Sequence, residues 1–205
     1  MAKCYVLPGM GADGRLFDAQ RAVRDIQVID WIPPAHPHEP LADYARRLAS
    51  SLHLDEPYDL GGASFGGMTA LELARHLTPR RVFLFGSCRS PQALPPWLRL
   101  LARFAHHPPA VLHPLVARFL GATTPAHIRL FADMLAKTPP HFFRWAARAV
   151  FSWTGVEELP MPVLHIHGDR DRVMPIHRVR PDRVIAGAGH LLNMTHGEAV
   201  NEFIA

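Results

Sequence analysis

Six short apolar runs recur along the chain: Lys3–Leu7 (KCYVL), Gln27–Trp31 (QVIDW), Tyr58–Gly62, Arg81–Phe85 (RVFLF), Val163–His167 (VLHIH) and Arg183–Ala186. Several are almost continuously hydrophobic instead of alternating, the pattern of strands covered on both faces of a parallel sheet. Between most of them lie stretches with helical spacing. Leu41–Leu52 is one and Phe65–Leu77 another, with Met68, Leu71, Ala74 and Leu77 on one stripe and Glu72, Arg75 and His76 off it. Alternating strand and helix predicts an α/β protein with right-handed crossovers.

From Ser90 to Leu159 the alternation stops. The run reads as three or four short amphipathic helices rich in aromatic residues, with Pro95-Pro96, Pro108-Pro109, Pro125 and Pro139-Pro140 at their starts, where a missing N–H costs little. The segments share no side-chain pattern beyond these prolines, so a repeat solenoid is disfavoured. Pro160-Met161-Pro162 then returns the chain to the sheet. The organisation expected is a core of residues 1–89 and 160–205, with a helical cap, residues 90–159, inserted after the fourth strand.

Composition narrows this picture. A chain of 205 residues, 48% hydrophobic and 20% charged, is long enough for one globular domain with an insertion and too apolar for disorder. No run approaches the length of a membrane span, and the N-terminal residues lack the pattern of a signal peptide, so a cytoplasmic location is expected. Two cysteines make no disulfide framework. Cys4 begins the first strand and Cys88 follows the fourth, about 20 Å apart by strand rise, so both are expected as free, buried thiols. The net charge of +4 is uneven: residues 88–155 carry eight Lys/Arg against one acid, Asp133. There is no basic run of the kind that reads nucleic acid, and solvated arginines on amphipathic helices explain the excess more simply than a carboxylate-bearing substrate or an anionic surface.

The chemistry concentrates between the third strand and the helix after it. Gly62-Ala63-Ser64-Phe65-Gly66 matches G-x-S-x-G in the context of strand, sharp turn and helix. Such a turn forces the serine backbone into a strained conformation and brings the positions two before and two after it into contact, so Gly62 and Gly66 are expected where a Cβ would clash. A phosphate cradle is the competing reading of a glycine-rich loop. Neither G-x-G-x-x-G nor a lysine after the second glycine pair is present, so neither nucleotide fingerprint is met.

A serine hydroxyl becomes nucleophilic when an imidazole takes its proton, and that imidazole needs a carboxylate to orient it. Beyond the fifth strand comes HGDRDRVMP and beyond the sixth AGAGHLLNM, which put Asp171 and His190 in loops at the carboxyl ends of neighbouring strands. Asp169 rivals Asp171 in the same loop; the spacing to Pro175 favours Asp171, leaving Asp169 to cap or solvate the turn. His177 and His196 rival His190, which stands out for its glycine-flanked loop. His165 and His167 share one face of a strand, but a pair of imidazoles with no third ligand nearby is weak support for zinc, and hydrogen-bonded structural histidines are the simpler reading.

With the elbow, Gly168-x-x-Asp171-x-x-x-Pro175 and Gly187-x-Gly189-His190 in this order, the chain resembles the α/β-hydrolase superfamily, of the lidded esterase, lactonase and C–C hydrolase kind, over nearly its whole length. The resemblance implies a mostly parallel sheet flanked by helices, with six strands because the first run matches the family's third. It implies Ser64, Asp171 and His190 as catalytic residues and the amides of Met10 and Phe65 as an oxyanion hole, with Pro8 where relatives carry histidine. It implies neither cofactor nor metal. MPIHRVRPDRV leaves little room for the helix that usually joins the last two strands. The cap aromatics, Trp97, Phe104, Phe119 and Phe143 among them, are expected to roof an apolar pocket for a small-molecule ester-type substrate. Hydrolysis of small apolar esters or lactones through an acyl-serine is the leading reading. Thioesterase, C–C hydrolase or perhydrolase chemistry on the same residues, or a non-catalytic ligand-binding homologue, are the alternatives.

Overall fold

In the computed structural model, which describes residues 2–55, 57–98 and 107–205, six parallel strands form one sheet in the order β2-β1-β3-β4-β5-β6. They are β1 (Lys3–Leu7), β2 (Ile26–Val28), β3 (Tyr58–Ala63), β4 (Val82–Phe85), β5 (Val163–Gly168) and β6 (Arg183–Ile185). All five pairings are parallel, with Leu7 opposite Gly62 and Ala63 opposite Phe85 at the carboxyl edge. The near-continuous apolar runs have the expected cause. Along β4, Val82 and Leu84 join the hydrophobic cluster on one face while Phe83 and Phe85 join that on the other.

One face is covered by α1 (Leu41–Ser51) and α2 (Phe65–Leu73). Helix α1 buries Leu41, Tyr44, Ala45, Leu48 and Ala49, the i, i+3, i+4, i+7, i+8 stripe of an amphipathic helix. Helix α2 departs from the expected stripe: every residue from Phe65 to Leu73 is buried, Glu72 included. Glu72 lies inside because its carboxylate accepts a 2.6 Å hydrogen bond from the indole N–H of Trp153. The helix also ends at Leu73, not Leu77. Arg75 and His76 donate to carbonyls three residues back, and Pro79 disfavours helical backbone at Thr78.

Between β4 and β5 lie α3 (His113–Phe119), α4 (Pro125–Lys137) and α5 (Pro140–Ser152), the last two with proline as the first helical residue. Trp145 of α5 packs on Tyr44 and Phe65, with ring centroids 4.3 and 5.7 Å apart, so α5 belongs to the same hydrophobic cluster as α1 and α2. The opposite face is closed by α6 (Leu192–Thr195), α7 (Gly197–Ile204) and parts of α3 and α4. The crossover from β5 to β6 holds only a 3-10 turn, Ile176–Arg178, as the short connecting sequence predicts. Strand β2 is shorter than its apolar run and stops at Val28, with Pro33 and Pro34 close behind lacking N–H donors for the ladder. Its neighbour Trp31 turns inward against Phe65 instead. Cys4 and Cys88 are free and buried, and burial pushes both thiols up to about 12. Among the described residues no helix is long and apolar enough to cross a membrane.

Candidate active site

The sheet order reverses direction at β1, whose neighbours β2 and β3 follow it on opposite sides, and a crevice forms at such a point beyond the carboxyl ends of the strands. Ser64 leaves β3 there with φ 51° and ψ −119°, the one non-glycine residue at positive φ among the described residues. Its N–H donates to Phe85 O at 3.0 Å, and Ser87 Oγ donates to its carbonyl at 2.7 Å, so the strained turn is held from β4 and the loop beyond it.

The surrounding glycines are a steric requirement. A Cβ on Gly62 would stand 2.3 Å from the Gly66 carbonyl group, and one on Gly66 would stand 2.2 Å from Leu7 O and 2.4 Å from Pro8 O. Gly67 is needed as well, because a Cβ there would meet Ser87 Oγ at 2.5 Å. The absence of side chains thus lets the start of α2 lie directly against the loop after β1. That loop carries Met10, and Gly9 lies beneath Ser64, its own added Cβ falling 3.4 Å from Ser64 Cβ. Neither the Met10 amide nor the Phe65 amide donates to any acceptor among the described residues.

His190 and Asp171 complete an unbroken hydrogen-bonded line. His190 Nε2 lies 2.8 Å from Ser64 Oγ, and His190 Nδ1 lies 2.7 Å from Asp171 Oδ2. Asp171 Oδ1 accepts from the Val173 and Met174 amides at 2.8 and 2.9 Å, which fixes the carboxylate plane. Burial alone would raise this carboxyl, but the opposing charge of His190 and hydrogen bonds from His167 and His190 hold it well below the ordinary carboxylate range. Asp169 is exposed and accepts the Gly187 amide at 2.7 Å, bracing the β6 exit turn away from the imidazole. His196 bonds its neighbour Thr195, and His177 is exposed.

Ser64 and His190 open onto a cavity of about 240 Å³. Its walls include Leu16, Val116, Phe119, Phe131, Leu135 and Phe143, and among the described residues no Lys, Arg, Asp or Glu lines it. Of the aromatic residues expected there, Phe119 and Phe143 are on the wall. Trp97 is not: it is 48% exposed and packs edge-on against Phe119, on the outer side of that ring. Phe104 lies outside the described residues. Phe131, another aromatic residue of the helical stretch, is also on the wall, and so is Leu135, four residues on along the same side of α4, a spacing that carries the signal for it. Among the described residues of the helical stretch, Arg118, Arg129, Lys137, Arg144 and Arg148 are exposed and none of them lines the cavity. Larger clefts exist, such as one of about 500 Å³ bounded by His36, His141 and Arg148, but Ser64 is not part of it. Among the described residues no group of three or more His, Cys, Asp or Glu is arranged to hold a metal ion.

The sequence model of the Alpha/beta hydrolase family matches residues 4–203, and the chain belongs to that family. Solved structures agree at the level of fold. A thermophilic esterase from Thermogutta terrifontis is 20% identical with a TM-score of 0.75, covering 100% of this chain and 88% of its own. A hydrolase from Oleispira antarctica is 15% identical with a TM-score of 0.80, covering 100% and 89%. The enol-lactonase from Burkholderia xenovorans LB400 is 19% identical with a TM-score of 0.76, covering 100% and 90%. No curated protein matches the chain.

Proposed function

We propose that the protein is a serine hydrolase that cleaves small apolar carboxylic esters or lactones through an acyl-serine. The observation that carries this reading is the continuous line from Ser64 Oγ through the His190 ring to Asp171, set at the mouth of an apolar cavity. His190 Nε2 accepts the hydroxyl proton as Ser64 Oγ attacks the substrate carbonyl carbon. Asp171, still ionised, keeps the Nδ1 proton in place and stabilises the imidazolium that forms. The negative charge that develops on the carbonyl oxygen is met by the unengaged amides of Met10 and Phe65, each such donor worth about 3–4 kcal/mol of barrier. His190 then returns its proton to the leaving alkoxide, and the ester bond breaks. A water deprotonated by the same Nε2 attacks the acyl-serine and releases the acid and Ser64.

The apolar side chains that wall the cavity among the described residues favour an uncharged acyl group, and residues 90–159 serve as its cap. Both esterases and a lactonase occur among the structures of similar fold, which supports testing open and cyclic esters together. A fluorophosphonate probe is expected to label the folded protein at Ser64, and Ser64→Ala is expected to abolish both labelling and turnover. In a panel of p-nitrophenyl esters of graded chain length, lactones and a thioester, the highest kcat/KM is expected on an ester or lactone. Folded wild-type protein that takes no label would favour a non-catalytic binder.

A further inference from the structure

Behind Asp171 lie two further imidazoles that the proposed chemistry does not use. His167, fully buried at the end of β5, holds its Nε2 2.8 Å from the Met174 carbonyl oxygen and 3.3 Å from Asp171 Oδ2, the same oxygen that faces His190. Its Nδ1 lies 3.1 Å from His165 Nε2, the two rings standing at 87°. His165 is 4% exposed and is pushed down to about 3, mainly by burial and then by His167, so it is neutral near pH 7.

The proton positions follow from what each partner can do. A peptide carbonyl and an ionised carboxylate only accept, so His167 Nε2 must carry a hydrogen, whichever imidazole supplies the proton shared with His165. That N–H is bonded to Met174 O at 2.8 Å, with Asp171 Oδ2 3.3 Å from the same nitrogen. Met174 also donates its own N–H to Asp171 Oδ1, so one residue holds both the carboxylate and the ring that steadies it.

We infer that His167 is a positioning residue for the proposed reaction: its Nε2–H is a second imidazole donor to the Asp171 carboxylate, and His165 keeps the ring turned toward it. The inference rests on the reading of Asp171 as the partner of His190. The groups facing Asp171 are His190 from the loop after β6, His167 and His165 from β5, and the neutral thiol of Cys88; the charge of Arg89 acts on His165. By sharing Oδ2, His167 draws negative charge away from His190. Without that donor the full carboxylate charge falls on the His190 imidazolium and stabilises it, so the base form of His190 is reached only at higher pH.

Two variants of similar polarity separate this role from packing. In His167→Gln the terminal amide reaches the former Nε2 position and keeps a donor for Asp171; in His167→Asn it reaches only the Nδ1 position, keeping the bond to His165 and losing that to Asp171. With fold checked by thermal unfolding, His167→Asn is expected to move the acid limb of the kcat/KM profile up by about one pH unit, the shift that loss of one charge-assisted hydrogen bond corresponds to. His167→Gln is expected to keep the wild-type limb. Identical acid limbs in wild type and His167→Asn would overturn the inference. A readout that needs neither turnover nor a folded variant is the ring 15N–1H correlation spectrum of the wild-type protein. There His167 Nε2 is expected to carry a hydrogen, and a bare Nε2 would overturn the inference even if the enzyme reading stands. Failure of the fluorophosphonate to label Ser64 would sink the enzyme reading alone.

Discussion

Ser64 occupies backbone angles that L-residues avoid, a strain of about 1–3 kcal/mol that persists only while its neighbours hold it. Gly66 is the most exacting of them, since any side chain there strikes the backbone of the loop carrying Met10. Gly66→Ala is therefore expected to lower stability by about 1–3 kcal/mol in urea unfolding and to slow fluorophosphonate labelling, because the turn and the Met10 loop must move apart. The paired acids near β5 make a second test at this scale. Asp171→Asn is expected to reduce kcat by about ten-thousand-fold through loss of the correct imidazole tautomer, while Asp169→Asn, at an exposed side chain that accepts the Gly187 amide and not the imidazole, is expected to retain most of it. The G-x-S-x-G spacing and Asp171 at its distance from Pro175 were legible in the sequence because each is a local demand on the chain. The smallness required around Ser64 extends to Gly67 in the sequence too, but the partner that requires it, Ser87, and the neighbourhood of His167 were not legible, since Ser87 and Asp171 reach them across the fold.

Among the elements, the helical stretch between β4 and β5 is more deeply joined to the sheet than an appended roof. Trp145 of α5 is 1% exposed, packs tilted against Tyr44 and edge-on against Phe65, and donates its indole N–H to Glu39 O at 3.0 Å. Trp145→Ala is expected to cost about 3–5 kcal/mol in global unfolding free energy, measured by chemical denaturation. Hydrophobic spacing marked this stretch as helical and the prolines marked the starts of α4 and α5, but neither could say which face of each helix looks at the cavity. For α2 it also misassigned Glu72, because an amphipathic stripe assumes water on the polar side, and there the polar side meets Trp153. Phe119 and Phe143 reach the cavity wall while Trp97 does not, a difference of helix orientation that residue type does not encode.

Across the whole molecule, distant parts of the chain are tied at the amino edge of the sheet. Arg24 pairs with Asp59 at the start of β3, both side chains almost wholly buried, and donates to Ile204 O at 2.6 Å near the last residue. Arg81 adds a 3.0 Å bond to the same carboxylate. Asp59→Asn would leave Arg24 charged and poorly matched inside the protein, and a loss of about 3–5 kcal/mol is expected in denaturant titration, little changed by added salt because the pair is shielded from solvent. The sequence by itself determined the class of fold, the alternation of strands and helices, the elbow around Ser64 and the loops that hold Asp171 and His190, since all of these are written in local periodicity and in spacings a few residues long. Only the tertiary structure decided that residues 64, 171 and 190 meet within hydrogen-bonding distance, that apolar side chains such as Phe119, Phe131 and Phe143 wall the cavity beside them and that a second imidazole touches Asp171. The physical reason is reach: side chains a hundred positions apart come together only when the sheet order and the packing of helices on its faces set the direction of each.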